Sequence, residues 1–266
     1  MSRFEGVRPI ASAPSAVDPR WSFGVVVPAH DEVHHVGSCV ASIRASLAPL
    51  QARGVRTWIV VVADACRDET ALVARALVGL QGEVIEVEAR NVGRVRAIGT
   101  DALLRHLCPG RPDRTWIATT DADSTVPTSW ADDHLRLAEA GAAGVAGVVR
   151  VDSFAGHAPE VGPRHVAGYV THEDGSHPHV HGANLGVRAD AYRAVGGWPE
   201  LTTAEDHALW RRLADGGWPT VSSITAWVTT SGRPVGRAPS GFAGHLTALA
   251  PAASSPVRHL SAVLTP

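Results

Sequence analysis

The chain has 266 residues, 45% of them hydrophobic and 19% charged, with a formal net charge of −2. That composition is ordinary for a soluble globular protein with one substantial core, and the near-zero charge without any basic run excludes electrostatic capture of nucleic acid or an anionic membrane. All 24 positive side chains are arginine, so no lysine Schiff base is available, and Cys39, Cys66 and Cys108 lack metal-ligand spacing and fit a reducing compartment.

Residues 1–20 lack the basic start and apolar core of a signal peptide and read as a flexible N-terminal arm. Phe23 to Val27 is an apolar strand stopped by Pro28, and Val33 to Leu50 has helical spacing at Val36, Val40, Ile43 and Leu47. Thr57 to Val62 is a second apolar strand, followed by a helical run from Thr70 to Leu80. Glu83 to Glu88 is a third strand, Gly93 to His106 a third helix, and Trp116 to Thr120 a fourth strand. Strands apolar on both faces and separated by helices predict a mostly parallel sheet covered on both sides. Farther along, Ala204 to Ala214 is helical and Ser231 to Pro266 reads as loop with one short helix. No stretch reaches the roughly 18 apolar residues that span a bilayer, the nearest being 137–149, so no integral membrane segment and a cytoplasmic location are expected.

Ligands of such sheets bind beyond the carboxyl ends of the strands, where this chain collects its polar residues: 29–32, 64–68, 90–94 and 121–123. Asp121-Ala122-Asp123, directly after the fourth strand, offers the oxygen ligands that Mg²⁺ or Mn²⁺ prefers, and the cation can in turn hold a diphosphate. Turn or cap residues are the alternative for such a pair.

Five ordered segments carry a resemblance. Pro28-Ala29-His30-Asp31-Glu32 is similar to the Pro-x-x-Asn-Glu of family 2 glycosyltransferases. Asp64-Ala65-Cys66-Arg67-Asp68-Glu69-Thr70, preceded by Ala63, is similar to their Asp-Asp-Gly-Ser-x-Asp-x-Thr, with Ala63 for the first Asp and Ala65-Cys66 for Gly-Ser. Asn91-Val92-Gly93-Arg94 through Gly99 matches their Asn-x-Gly segment, and Asp121-Ala122-Asp123 their Asp-x-Asp. Gly182-Ala183-Asn184 through Trp198 and Glu205-Asp206 is similar to their acceptor region. The resemblance covers about 23–230. It implies a single α/β domain of the GT-A fold over 21–230, with a nucleotide half of about 21–125 and a partly antiparallel acceptor half of about 126–230, leaving 231–266 as a tail or lid.

It also implies a nucleotide-diphospho-sugar donor, UDP- or GDP-linked, a divalent cation, and transfer of the sugar to the hydroxyl of a small or lipid-borne acceptor. Pro28, Ala29 and Ala122 fall at the donor. Glu32 and Asp64 can accept hydrogen bonds from ribose hydroxyls and a base N–H, with helix-start roles as the alternative. Arg94 and Arg96 open a helix where a phosphate can bind, against a solvated-face reading. Asp123, with Asp121 toward the ribose or the cation, would neutralise the diphosphate leaving group, and a late histidine, His245, could complete the cation site. Arg233 and Arg237 are candidates to close on the diphosphate. Asp206, with Glu205 beside it, is the candidate base, and a base on the far face of the sugar implies inversion; helix capping is the competing reading. Trp198, Asn184 and His181 are placed at the acceptor.

The histidines of 165–181 suggest a loop between the halves. Acceptor contact or a mobile lid is expected there, with a structural metal the weaker reading. Two other classes stay open: a catalytically degenerate nucleotide-sugar binding module, favoured by Ala63 and Ala65, and a sugar nucleotidyltransferase. The latter would need a Gly-rich basic segment after the first strand.

Overall fold

The structure, a computed structural model, describes residues 21–108, 111–236 and 241–250. Eight strands run in chain order as β1 Ser22–Ala29, β2 Arg56–Asp64, β3 Gly82–Val87, β4 Thr115–Thr119, β5 Ser124–Thr125, β6 Gly144–Val151, β7 Leu185–Arg188 and β8 Thr220–Thr230. The helices are α1 Val36–Ala52, α2 Thr70–Val78, α3 Val92–Leu107, α4 Trp130–Glu139, α5 Val161–Gly168, α6 Ala189–Ala194, α7 Glu205–Asp215 and α8 Phe242–Ala248.

All eight strands form one sheet in the order β3-β2-β1-β4-β7-β6-β8-β5. The first four are mutually parallel. Beyond β4 the sheet turns mixed, with β7 antiparallel to both β4 and β6, β8 parallel to β6, and β5 antiparallel to β8. The parallel half and the partly antiparallel half expected from the sequence are therefore one continuous sheet. β1 passes through Pro28 instead of stopping there. Its ladder with β4 ends at Val26 opposite Thr119, so Pro28 lies where the strand is paired only with β2, and its missing N–H costs no ladder bond on that side.

β1 shows why two faces are covered. Val25 and Val27 point into a cluster with α1, α2 and α4, while Val26 points into a second cluster with α3, α6 and α7. Trp116, Trp130, Phe23 and Ile43 are fully buried, each contributing about 1.5–3 kcal/mol on transfer from water. The Ala/Val-rich segment near 137–149 resolves into the end of α4 and the buried strand β6. No helix among the described residues is long and apolar enough to cross a membrane.

Part of the predicted inter-half loop is helical: α5 carries His165, and α8 of the tail packs against it. Beyond it Tyr169 and three histidines form a column of rings in which Tyr169 stacks on His179 at 4.0 Å and His179 lies between His177 and His181 at 5.9 and 6.0 Å. These imidazoles do not converge on a point, and no three metal-ligating side chains that include them lie within ligand distance among the described residues.

Candidate active site

A cavity of about 850 Å³ opens at the carboxyl ends of β1, β2 and β4. Pro28, Ala29, Glu32, Asp64, Ala122 and Asp123 all line it. The chain makes abrupt turns to put them there. Asp31, Ala65 and Arg90, just past β1, β2 and β3, have φ of 51°, 51° and 50°, and Ala204, immediately before α7, has φ 59°. These are left-handed conformations that non-glycine residues adopt at a cost, and they collect at functional sites.

Glu32 is 5% exposed, and its N–H donates to Thr70 Oγ1 at 2.7 Å. Its carboxylate faces Arg233, which donates Nη1 to Oε2 at 2.8 Å and Nη2 to Oε1 at 2.5 Å, and His35 Nδ1 lies 3.2 Å away. The same Arg233 Nη2 lies 2.9 Å from Asp123 Oδ2, and Thr230 donates to Asp123 Oδ1 at 3.3 Å. Burial, then the neighbouring charges of Asp121 and Glu32, push the Asp123 carboxyl up to about 6 despite Arg233. Glu32 and Asp123 thus share the Arg233 guanidinium, and Asp121 lies close enough for its charge to act on Asp123.

This donor set is all oxygen and carries excess negative charge, so it fits a hard divalent cation such as Mg²⁺ or Mn²⁺, which needs only one or two protein carboxylates beside phosphate oxygens. Three ligand atoms within 4.8 Å of one another occur, among the described residues, at Asp31, Cys66 and Asp68 instead, but these carboxylates are engaged by backbone. Arg67 N–H donates to Asp31 at 2.7 Å, and Thr70 and Val33 N–H groups donate to Asp68 at 3.0 and 3.2 Å.

Asp64 is buried and uses Oδ1 to accept from the N–H groups of Ala89 and Arg90 at 2.7 and 3.0 Å, which ties the β2 end to the loop before α3. Asn91 caps α3 by accepting from Arg94 N–H at 2.9 Å, while the Arg94 side chain is exposed and does not line the cavity. Arg96, weighed from sequence against a solvated face, is instead 3% exposed. Its Nη2 donates to Asp121 Oδ1 at 2.7 Å, its Nη1 to Glu205, and its guanidinium sits 5.4 Å from the centre of the Trp198 ring. The signal was legible in α3: Arg96, Gly99, Thr100, Leu103 and Leu107 share one buried face, and the arginine falls on it.

Among the residues expected at an acceptor, Asp206 does not line the cavity; its Oδ2 accepts from Gly182 N–H at 2.6 Å and its Oδ1 from His207 N–H at 2.7 Å, and His181 is the residue before that glycine. Burial, outweighing the attraction of Asp206, holds His181 down at about 4. Two expected acceptor contacts are placed differently. Trp198 is buried at 4% beneath Arg96, and Asn184 is fully buried with every side-chain bond spent. Asn184 donates to the carbonyls of Val148 and Ala226 at 2.9 and 3.0 Å, and its Oδ1 accepts from Trp130 Nε1 at 2.9 Å with His134 Nε2 at 3.2 Å. It joins β6, β8 and α4 and has no polar atom left for a sugar. His245, a candidate cation ligand, lies against His165 and Phe242 at 6.2 Å and does not line the cavity. Arg237 lies outside the described residues.

The family described as "Glycosyltransferase like family 2" matches residues 19–243. No curated protein sequence matches the chain. Among solved structures, S. aureus TarS 1–349 in complex with UDP-GlcNAc is similar at TM-score 0.58 and 16% identity, over 83% of this chain and 61% of that one. The mannosyltransferase PcManGT from Pyrobaculum calidifontis, in complex with GDP-Man and Mn²⁺, gives 0.60 and 20%, over 86% and 62%. M. tuberculosis glucosyl-3-phosphoglycerate synthase gives 0.52 and 15%, over 91% and 82%. The chain thus spans less than two thirds of the first two proteins, and at these identities the likeness concerns the fold.

Proposed function

The chain belongs to the glycosyltransferase-like family 2, and on that premise we propose that it moves a sugar from a nucleoside-diphosphate donor to an acceptor hydroxyl, with cation assistance, inversion and a single transfer per encounter. The observation that carries this reading is the convergence of Glu32, Asp123 and Arg233 in a cavity at the carboxyl ends of the parallel strands. UDP- and GDP-linked sugars are the donor classes to test, since similar folds are known with UDP-GlcNAc and GDP-Man bound.

Asp64 and Glu32 would receive the nucleoside, and Arg233 the diphosphate. A divalent cation held by Asp123 and Asp121 would supply Lewis-acid neutralisation of the leaving diphosphate. As the bond from the sugar carbon to the diphosphate oxygen breaks, the electron pair stays on that oxygen, and Arg233 donates to the charge that develops. The acceptor oxygen bonds to the same carbon from the opposite side, and Asp206 takes its proton, later released to water. The N–H groups of Gly182 and His207 donate to Oδ2 and Oδ1 of Asp206, an arrangement that would hold the carboxylate in place for that task.

The experiment is calorimetric titration with UDP, GDP and their sugar conjugates, with Mn²⁺ and after chelation, for the wild type and Asp123→Ala, together with an assay of donor hydrolysis. Cation-dependent binding of one diphosphate, lost in the variant, is expected. Absence of all nucleotide binding overturns the reading, and binding without turnover in any acceptor screen would favour a degenerate binding module instead.

A further inference from the structure

Arg96 touches both sides of the site described above. It comes from α3, is 3% exposed, and is ion-paired at once to Asp121 beyond β4 and to Glu205 at the first turn of α7. Three features fit the chain around it. A Cβ on Gly182 would lie 2.5–2.6 Å from the guanidinium, so only glycine leaves room there. The N–H of that same glycine holds Asp206. Trp198 closes the other side, with the guanidinium over its ring. Arg96 Nε is buried without a partner, so the guanidinium is held by its two carboxylates and by packing.

Glu205 is 4% exposed, whereas the Asp121 side chain is 38% exposed and faces the cavity. A buried charge shared in this way is strongly sensitive to its partners, because little water is available to screen it. Whatever changes the hold of Glu205 on Arg96 therefore changes how much of the Arg96 charge falls on Asp121.

We propose that Arg96 is a positioning residue that couples the donor and acceptor sides, its shared guanidinium setting how much of the Asp121 carboxylate is left for a divalent cation while locking the first turn of α7, with Asp206, to the donor side. The inference rests on the transferase reading. It differs from a purely structural ion pair in the sign of its effects. Neutralising Glu205 leaves the whole Arg96 charge on Asp121 and weakens cation binding. Removing both Arg96 and Glu205 bares Asp121 and strengthens it above wild type.

The test is Mn²⁺ titration, read from the electron paramagnetic resonance of the free ion, on wild type, Glu205→Gln and the double variant Arg96→Met, Glu205→Gln, with and without UDP or GDP, and with melting temperatures measured in parallel. The double variant leaves no unpaired buried charge, so it remains foldable where Arg96→Met alone strands Glu205. Expected are Mn²⁺ affinities about five- to tenfold weaker in Glu205→Gln and tighter than wild type by a similar factor in the double variant, opposite changes that loss of packing cannot produce. Equal affinities in all three proteins, or a loss in both variants, overturns the coupling while nucleotide binding by the wild type keeps the transferase reading standing. If the wild type binds neither Mn²⁺ nor nucleotide, both fall together.

Discussion

Asp123→Asn should stabilise the cation-free protein at neutral pH. The carboxyl is held at about 6 against an ordinary 3.8, and its side chain is 15% exposed, so its ionisation in the fold carries an uncompensated cost. At about 1.36 kcal/mol per unit, the difference amounts to about 3 kcal/mol above pH 6.5. Below pH 3.8 both folded and unfolded chains hold the proton and nothing is lost. Between about 4 and 6 the unfolded chain releases it while the folded one retains it, so wild-type stability falls across that window and levels off above it. Asparagine keeps an oxygen for Thr230 and Arg233 but has no charge to desolvate. In chelator, wild type and Asp123→Asn should therefore unfold alike near pH 4, and the variant should melt about 6–12 °C higher at pH 7.5, at about 2–4 °C per kcal/mol. Scanning calorimetry or urea titration from pH 4 to 8 measures this directly. Mn²⁺ should then raise the wild-type midpoint and leave the variant's unchanged. A variant equal to or less stable than wild type at pH 7.5 in chelator would refute the argument that Asp121, Glu32 and burial outweigh Arg233 at this carboxylate.

Two further outcomes separate supporting residues from contact residues. Asn184→Ala orphans two carbonyls, an indole N–H and His134 in the core; it should cost about 3 kcal/mol or more and leave nucleotide affinity unaltered, and a melting temperature within about 2 °C of wild type would sink that role. His181 stays neutral until about pH 4, so its imidazole resonances should not move between pH 8 and 5. Because its folded value lies below the unfolded one, stability tied to it is full above about pH 6.5 and declines as pH falls toward 4. A midpoint near 6.5 in an NMR titration would show that burial does not dominate there.

How far the sequence could be read depended on the range of the signal. The alternation of apolar strands with amphipathic helices sufficed for the parallel half, because each element's period of 2 or 3.6 is local. Strand ends shifted by one or two residues, and Pro28 extended β1 instead of ending it because only the pairing partner, absent from local sequence, decides whether a missing N–H matters. Site residues at strand ends, Glu32, Asp64 and Asp123, could be ranked from position alone. The roles of Asn184 and Trp198 could not, since both are set by what packs over them from β6, β8 and α3. Arg96 lies between these cases. Its helical register announced burial, but a buried arginine becomes credible only once Asp121 and Glu205, distant in sequence, are seen to pair with it.

The same logic explains the departures from the family pattern at the second strand. Where the resemblance would have glycine after the strand-end aspartate, this chain has Ala65, and Ala65 adopts φ 51°. The left-handed turn is thus kept although the residue best suited to it is not, at a cost of about 1–2 kcal/mol. Such a turn persists only where its surroundings over-determine it. Ala65 N–H donates to Val87 O at 2.7 Å, and Asp64, one residue back, accepts from Ala89 and Arg90. Asp31 is held likewise by Arg67 N–H, and Ala204 accepts from Ala208 N–H at 3.0 Å as α7 begins. Each strained residue stands within one position of a carboxylate that enters the argument for function (Asp31 before Glu32, Ala65 after Asp64, Ala204 before Glu205) or, for Arg90, donates its N–H to one. At the ends of β1, β2 and β3 the turns and the carboxylates are therefore a single feature: a sheet that must aim acidic side chains into a cavity at its strand ends has to break direction at those points, and the hydrogen bonds around each turn offset the strain that the missing glycines would have avoided.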